Sequence, residues 1–490
     1  MPISTVPSRR PRFFWLMIFA SLLLLVFGEA LSRWLGLYGS VILVCVFCAA
    51  APLALRSSGL RFDIANVLLL FVAYYSLSFA FYGFMSAFGQ SHFLGVTYNP
   101  RSDSPVNLSS LASVYAAALL LSVYAGFSWK LRISPAAPRQ RPASQAELPF
   151  IDVGALPRLQ ISALLALVLS YIGYVLMVSL LGGASVIGRD PTYLATEGTH
   201  GLYWAAALIS MNHWAFVIQL VSFAVVRKLK YLLLAAFSVP LFLLEFLLNG
   251  SKGALLFPLA GLLITRHYCF RRISWRILAA LAAVILAVFA AGYSYRVSGA
   301  HQADFQEGMG SYYQDPAALL GTFVGRFYGT DSFAIALDSV RNGQPLLLGK
   351  SFVDLLTWYV PRWLWPDKPV SFAIRFGQEF MPQAAGAGDT YYSASLPGEL
   401  YLDFGRFGLF AGGIAVGLFL RCVYSRLIEK GRGRIESIVL YATIAPLAAQ
   451  LTEGPVSGVL EFILTRVILF VLLFRLAGLF LIPVPIRRPA

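Results

Sequence analysis

Charge is what this sequence has least of. Only 12% of its 490 residues are Asp, Glu, Lys or Arg, while 58% are hydrophobic and the mean hydropathy is +0.72. Soluble globular domains carry about 25% charged residues, so that class is excluded and an integral membrane protein is implied. Cysteine is equally scarce. Cys45, Cys48, Cys269 and Cys422 supply no disulfide framework, and the Cys45–Cys48 spacing lies deep in an apolar run without further ligands, which argues for packing thiols rather than a metal site. The five histidines, at 92, 200, 213, 267 and 301, are too scattered to form a metal cluster. No dinucleotide fingerprint, GKS or GKT phosphate loop, zinc motif or nucleophile elbow occurs. Alternating hydrophobicity is missing as well: the apolar runs are solid, which excludes a β-barrel.

What is there is a series of apolar runs, each able to cross about 30 Å of hydrocarbon as a helix. They fall near 13–30, 38–55, 64–88, 108–129, 159–181, 201–226, 231–249, 253–265, 277–296, 402–420, 436–452 and 457–482, about twelve in all. The basic residues agree with this count, because every second loop is basic: Arg9, Arg10 and Arg12, then Arg56 and Arg61, then Lys130, Arg132, Arg139 and Arg141. The series continues through 227–230, 266–276 and 421–434 to Arg487 and Arg488. By the positive-inside rule both termini are cytoplasmic. The formal charge of +15 is explained by this bias, so nucleic acid is not implied as a partner. The first run has a basic flank but no well-formed cleavage site, and reads as a retained signal anchor.

The one long polar segment, 297–401, lies between the ninth and tenth spans and divides the chain into 1–296, 297–401 and 402–490. It falls on the side opposite the basic loops. The run PAALLGTFVGRFYGTDSFAIALDSV has helical spacing of Leu319, Leu320, Phe323, Phe327, Phe333, Ile335 and Leu337, and predicts one or two amphipathic helices on the outer face. SFVDLLTWYV predicts a second helix that stops at Pro361, followed by a Pro/Gly-rich linker. Elsewhere, the turn Asn249 to Gly253 opens a short eighth span of 13 residues, roughly 20 Å long at about 1.5 Å per residue. Glycine amides, a helix N-terminus and the Lys252 ammonium suit a phosphate there; snorkelling of Lys252 to headgroups is the bland alternative. Glu461 and Arg466 read equally well as an ion pair between helices or as catalytic groups.

The run PRWLWPDKP, with GELYLDFGRFG after it and NGSKGALL before it, resembles the Wzy-type O-antigen (oligosaccharide repeat-unit) polymerases of bacterial envelopes. The resemblance in architecture covers nearly the whole chain; that in motifs is confined to about 250–265 and 355–410. Lys252 stands where many relatives carry arginine, keeping the charge but not a bidentate fork. The resemblance implies an all-α polytopic membrane protein of GT-C-like type, with a large, partly helical periplasmic loop between helices 9 and 10. It implies an inverting glycosyltransferase of the inner membrane that needs no metal or other cofactor. Its partners would be undecaprenyl-diphosphate-linked oligosaccharide as donor and acceptor, membrane lipid and a chain-length regulator protein.

Physical chemistry selects candidate residues for such a reaction. Breaking a sugar to diphosphate bond builds negative charge on the leaving group, which Arg326, Arg362, Lys368, Arg375 and Lys252 are available to neutralise. The acceptor hydroxyl needs a base or an aligning acceptor; Glu399, Asp331, Glu453 and His301 are the candidates. Trp358, Trp363 and Trp365 suit either stacking on sugar rings or anchoring at the lipid interface. A ligase that moves finished O-antigen to lipid A core would share the donor site. A flippase is the rival from another class, but the NGSKG break has no second copy of the kind repeat-built carriers show.

Overall fold

The computed structural model describes residues 10–60, 62–87, 107–129, 154–180, 203–249, 253–298, 327–357, 371–380, 392–431 and 433–479, with Val360, Leu364, Trp365, Asp367 and Pro369 between. Among these the protein is all helical, without a strand. The helices are α1 (Arg10–Ala49), α2 (Ala51–Ser57), α3 (Val67–Tyr75), α4 (Tyr82–Ala87), α5 (Leu108–Ser128) and α6 (Leu156–Leu180). Then come α7 (Tyr203–Ser210), α8 (Asn212–Val226), α9 (Leu229–Ala236), α10 (Ser238–Asn249), α11 (Gly253–Cys269) and α12 (Trp275–Ser298). Last are α13 (Gly329–Arg341), α14 (Val353–Thr357), α15 (Phe372–Phe380), α16 (Ser395–Tyr424), α17 (Ile435–Gln450) and α18 (Val456–Leu479). Eight helical stretches among the described residues are long and apolar enough to cross a membrane, and three shorter apolar helices accompany them. The chain is membrane-embedded and all-α.

The chain packs as two compact units. The first comprises 1–146, 306–426 and 445–461; the second comprises 147–305, 427–444 and 462–490. The centre of the first unit is α5, whose residues from Leu108 to Phe127 are almost all buried. Its sequence LSSLASVYAAALLLSVYAGFS is rich in Ser and Ala, which in lipid lets backbones approach closely and lets hydroxyls bond across helices. The long helix α1 breaks at Gly36 (φ 62°, ψ −170°), a left-handed conformation that favours glycine. The break folds it around α5. Ser21 Oγ donates to Ala118 O at 2.8 Å and Ser110 Oγ to Ser32 O at 3.0 Å, so the first arm runs antiparallel to α5. Ser40 bonds Ser110 and the Tyr124 hydroxyl donates to Phe47 O, so the second arm runs parallel to it.

Against the other side of α5 lies α16, at backbone contact. A Cβ on Gly417 would stand 2.1 Å from Val123 O, one on Gly126 2.1 Å from Ile414 O, and one on Gly413 2.6 Å from Ser122 Cβ. Gly413 and Gly417 are four apart, the small-xxx-small spacing of close helix pairs. This helix begins at Ser395, seven residues before the expected span at 402, and breaks at Gly405 (φ 62°, ψ −146°). The two arms fold back on each other, since Leu400 O lies 2.0 Å from where a Cβ on Gly408 would be. The break frees the last carbonyls of the first arm, and the segment before α14 satisfies them: Leu347 N–H donates to Leu402 O at 2.9 Å and Leu348 N–H to Asp403 O at 3.0 Å. The Asp403 carboxylate then accepts from Gly349 N–H at 2.9 Å and from the Ser351 hydroxyl.

The second unit is built around α6 and α8. A Cβ on Gly173 would lie 2.8 Å from Leu208 Cβ, Ser170 Oγ donates to Leu208 O, and the Tyr174 hydroxyl donates to Leu241 O at 2.6 Å. Ionisable groups are gathered inside it: Arg466 of α18 stands 3.1 Å from His213 Nδ1, and His213 Nε2 lies 3.6 Å from Glu245 of α10. Arginine has only donors, so Nδ1 is the acceptor and the ring is the neutral Nε2–H tautomer facing the carboxylate. A buried imidazole thus links an arginine and a glutamate carried by separate helices. The helix after the NGSKG turn runs Gly253–Cys269, 17 residues or about 26 Å, a turn longer than expected. Its last turn continues past the apolar run because Arg266 O accepts from Phe270 and Arg271 N–H, and His267 Nδ1 accepts from Ile273 N–H.

Gly417→Leu is expected to cost about 3 kcal/mol or more by forcing α5 and α16 apart. Loss of the monodisperse peak in detergent size-exclusion chromatography reads this out, while Phe407→Leu, on the exposed side of α16, leaves the peak intact. His213→Leu takes the acceptor from Arg466 and lowers unit stability by about 3–5 kcal/mol, the cost of breaking a buried charge network. A scan of thermal unfolding in detergent checks it against His213→Gln, which retains an acceptor and loses less.

Candidate functional site

The outer-loop helix predicted from the PAALLG to LDSV pattern is present as α13 from Gly329, and it is not a surface helix. Gly329 to Leu337 are all buried. A glycine at 329 is required by closeness: a Cβ there would lie 2.9 Å from Phe79 Cζ and 3.0 Å from Ser78 Cβ. Those two residues belong to a π-turn, Ser76–Phe81, that widens the helix between α3 and α4. Such turns leave backbone carbonyls open to other partners and recur at functional sites. Here Ser78 O accepts from Thr330 Oγ1 at 3.3 Å.

Four stretches far apart in sequence close a ring of hydrogen bonds at this point. Ser78 Oγ donates to Glu453 Oε1 at 2.8 Å, Leu396 N–H donates to Thr452 O at 3.1 Å, and Ser395 Oγ donates to Gly329 O at 3.3 Å. Ser395, which opens α16, has φ 63°, a left-handed value that a residue with a side chain adopts only where its surroundings hold it. Serine at 393 helps to hold it, its hydroxyl accepting from Ser395 N–H.

Three carboxylates lie on the ring. Glu453 takes the Ser78 bond. Glu399 is fully buried and its Oε2 accepts from Val456 N–H at 2.7 Å, so it caps the N-terminus of α18, where a negative charge is favoured. Asp331 is buried in the first turn of α13, with its Oδ2 accepting from the Tyr82 hydroxyl at 2.5 Å. Burial raises the Asp331 carboxyl from 3.8 to about 6, against the smaller opposing effect of the Tyr82 bond. That brings it near the value of a proton acceptor at neutral pH.

Sequence candidates Glu399, Asp331 and Glu453 are thus brought together. Arg375 lies on α15, a strongly amphipathic helix not foreseen from the sequence; it packs on α13, and its Ala373 O accepts from Tyr392 N–H just before α16. Trp365 is exposed, at 40%. Arg326, Lys252, Arg362, Lys368, His301, Trp358 and Trp363 lie outside the described residues. The expected helix at SFVDLLTWYV is a 3-10 turn at Lys350–Phe352 followed by the short α14. Tyr82, Ser78 and Ser395 were not foreseen, because Ser78 and Tyr82 sit inside an apolar span and Ser395 follows a plain-looking linker. No group of three or more metal-ligating side chains occurs among the described residues. No protein-family model, no curated protein and no solved structure matches this chain.

The raised Asp331 value has a sign that can be measured. Its folded-state pKa lies above that of the unfolded chain, so the folded state binds the proton more tightly, and stability falls as pH rises from about 4 to about 6, by roughly 3 kcal/mol. Asp331→Asn removes this contribution, so the variant's melting temperature in detergent is flatter across that range than that of the parent and higher at pH 7.

Proposed function

We propose that this protein joins undecaprenyl-diphosphate-linked oligosaccharide repeat units into O-antigen or a related surface polysaccharide. It does so as an inverting glycosyltransferase at the periplasmic face of the bacterial inner membrane. About twelve spans, both termini cytoplasmic and the loop before α16 periplasmic complete the reading. The observation that carries it is the gathering of Asp331, Glu399 and Glu453 in one hydrogen-bonded ring formed by that loop, the start of α16 and the turn before α18.

Within that ring the roles divide. Glu399 is a positioning residue, since its carboxylate holds the α18 N-terminus. Asp331 is the base: the acceptor hydroxyl gives its proton to Asp331 as its oxygen attacks the anomeric carbon of the donor. The sugar to phosphate bond breaks and the lipid diphosphate leaves with the electron pair. Tyr82 holds the Asp331 carboxylate in place. Arg375 of α15, with Arg326, Arg362, Lys368 and Lys252 as the other cations available by their charge, neutralises the leaving group, and no metal is given a role.

Deletion followed by an envelope-glycan gel tests the reaction: single repeat units capping the core are expected. A bare core instead marks a ligase and overturns the reading. Complementation with Asp331→Asn is expected to lower chain extension at least about 100-fold, the lower end of a general base's contribution, at normal membrane levels of the variant.

A further inference from the structure

An apolar surface occurs where the site's own machinery gives no reason for one. Along the segment from Leu346 to Leu356, Leu348 is 75% exposed and Leu356 78%. None of the eight apolar spans includes these residues. The segment is nonetheless firmly held. Leu347, Leu348, Gly349 and Ser351 are all hydrogen-bonded to Leu402 and Asp403 of α16. Leu348 is kept at φ 52°, a left-handed value rare for a leucine. A strained residue that leaves a large apolar side chain in the open persists only where the surroundings fix it.

We propose that this segment is a lipid seat: its leucines enter the boundary layer of the bilayer beside the end of the spanning arm of α16. The bilayer is chosen as occupant because the patch continues the lipid-facing surface of that arm. Leu346 Cδ1 lies 3.7 Å from where a Cβ on Gly405 would be, and Phe404 Cζ lies 3.3 Å from one on Gly349. The next residues of the arm include Phe407, 71% exposed on a helix apolar enough to span. The same level carries interface markers. Arg406, next to the break, and Arg341 both pair with Glu29 of α1, at 3.0 and 2.9 Å, and the bend of α1 at Gly36 exposes Trp34 and Tyr38 on either side of it. Aromatics and long cations of this kind mark the zone between hydrocarbon and headgroups. Lys350, exposed amid the leucines, suits lipid phosphates.

The seat and the ring are joined through one short helix arm, with Asp403 holding the segment at one end and Glu399 standing on the ring a turn earlier. Seating therefore fixes the height of the ring above the membrane, whatever reaction occurs there. The inference is independent of the proposed polymerase activity.

Single nitroxide labels test it. In a chain with Cys45, Cys48 and Cys422 changed to Ser and Cys269 to Ala, cysteine is placed in turn at Leu348, Leu356, Phe407 and Glu379. Glu379 is an exposed polar residue of α15 and serves as the water-facing reference. The protein is reconstituted in vesicles of phosphatidylethanolamine and phosphatidylglycerol. At 348 and 356 the ratio of oxygen to nickel-chelate collision is expected to match that at 407 and to exceed that at 379 several-fold. A ratio equal to that at 379 overturns the seat, and protection from both reagents overturns it in favour of a protein covering. On the unaltered chain, a photoactivatable diazirine phospholipid is expected to leave adducts on residues 346–356; their absence also overturns it.

Discussion

Backbone contact between α5 and α16 is the constraint on which the rest of the first unit depends. In lipid, apolar burial does not distinguish one helix face from another, so association rests on close packing and on hydrogen bonds between helices. Gly126, Gly413 and Gly417 bring the two backbones to a distance that no side chain permits, and serines on α5 bond both arms of α1 on its other sides. Once the spanning arm of α16 is pinned, its preceding residues have no straight continuation. The chain turns at Gly405 and packs its first arm against the second, and the carbonyls freed by that turn recruit the 347–351 segment.

The same pinning makes the carboxylate ring tolerable. Glu399 and Asp331 are buried and Glu453 is half-buried; charges so placed are costly unless each finds a donor, and here each does. Glu399 meets a backbone N–H at a helix start, Glu453 a serine hydroxyl, and Asp331 a tyrosine hydroxyl. Those donors come from residues 78, 82 and 456, which reach the site only because the π-turn, the start of α4, α13, α16 and the start of α18 converge. A change that moved α16 by one turn would take Glu399 from the Val456 N–H and break the ring at both Ser395 and Leu396.

The sequence was informative where the signal is local. Low charge and solid apolar runs announce a helical membrane protein, and the acid residues at 331, 399 and 453 stand out because their surroundings hold so few charges. The first arm of α16 was not legible, since SASLPGEL reads as a linker until Thr452 O and Glu399 tie it into the ring. The π-turn at 76–81 was hidden for a related reason: hydropathy sees only an apolar span, and the widening serves a partner more than two hundred residues away, at Thr330. The burial of α13 was missed because an amphipathic pattern fixes which face is apolar, not whether the polar face also meets protein.

The proposed division of labour between Asp331 and Glu399 rests on the character of their donors. A carboxylate that receives a backbone N–H at a helix N-terminus is held by a group that cannot rotate away, and any proton it accepted would remove the negative charge that the start of α18 favours. Asp331 is bonded by a phenol, whose hydroxyl can rotate and can accept as well as donate. Protonation of Asp331 therefore leaves a Tyr82 partner able to reverse its role, and the surrounding helices need not move. Burial has already brought the group to about 6, so taking a proton from an attacking hydroxyl at neutral pH requires only a modest further push from the developing charge. An aspartate that can change charge without breaking its scaffold is suited to turn over repeatedly, whereas a glutamate that caps a helix is suited to stay as it is.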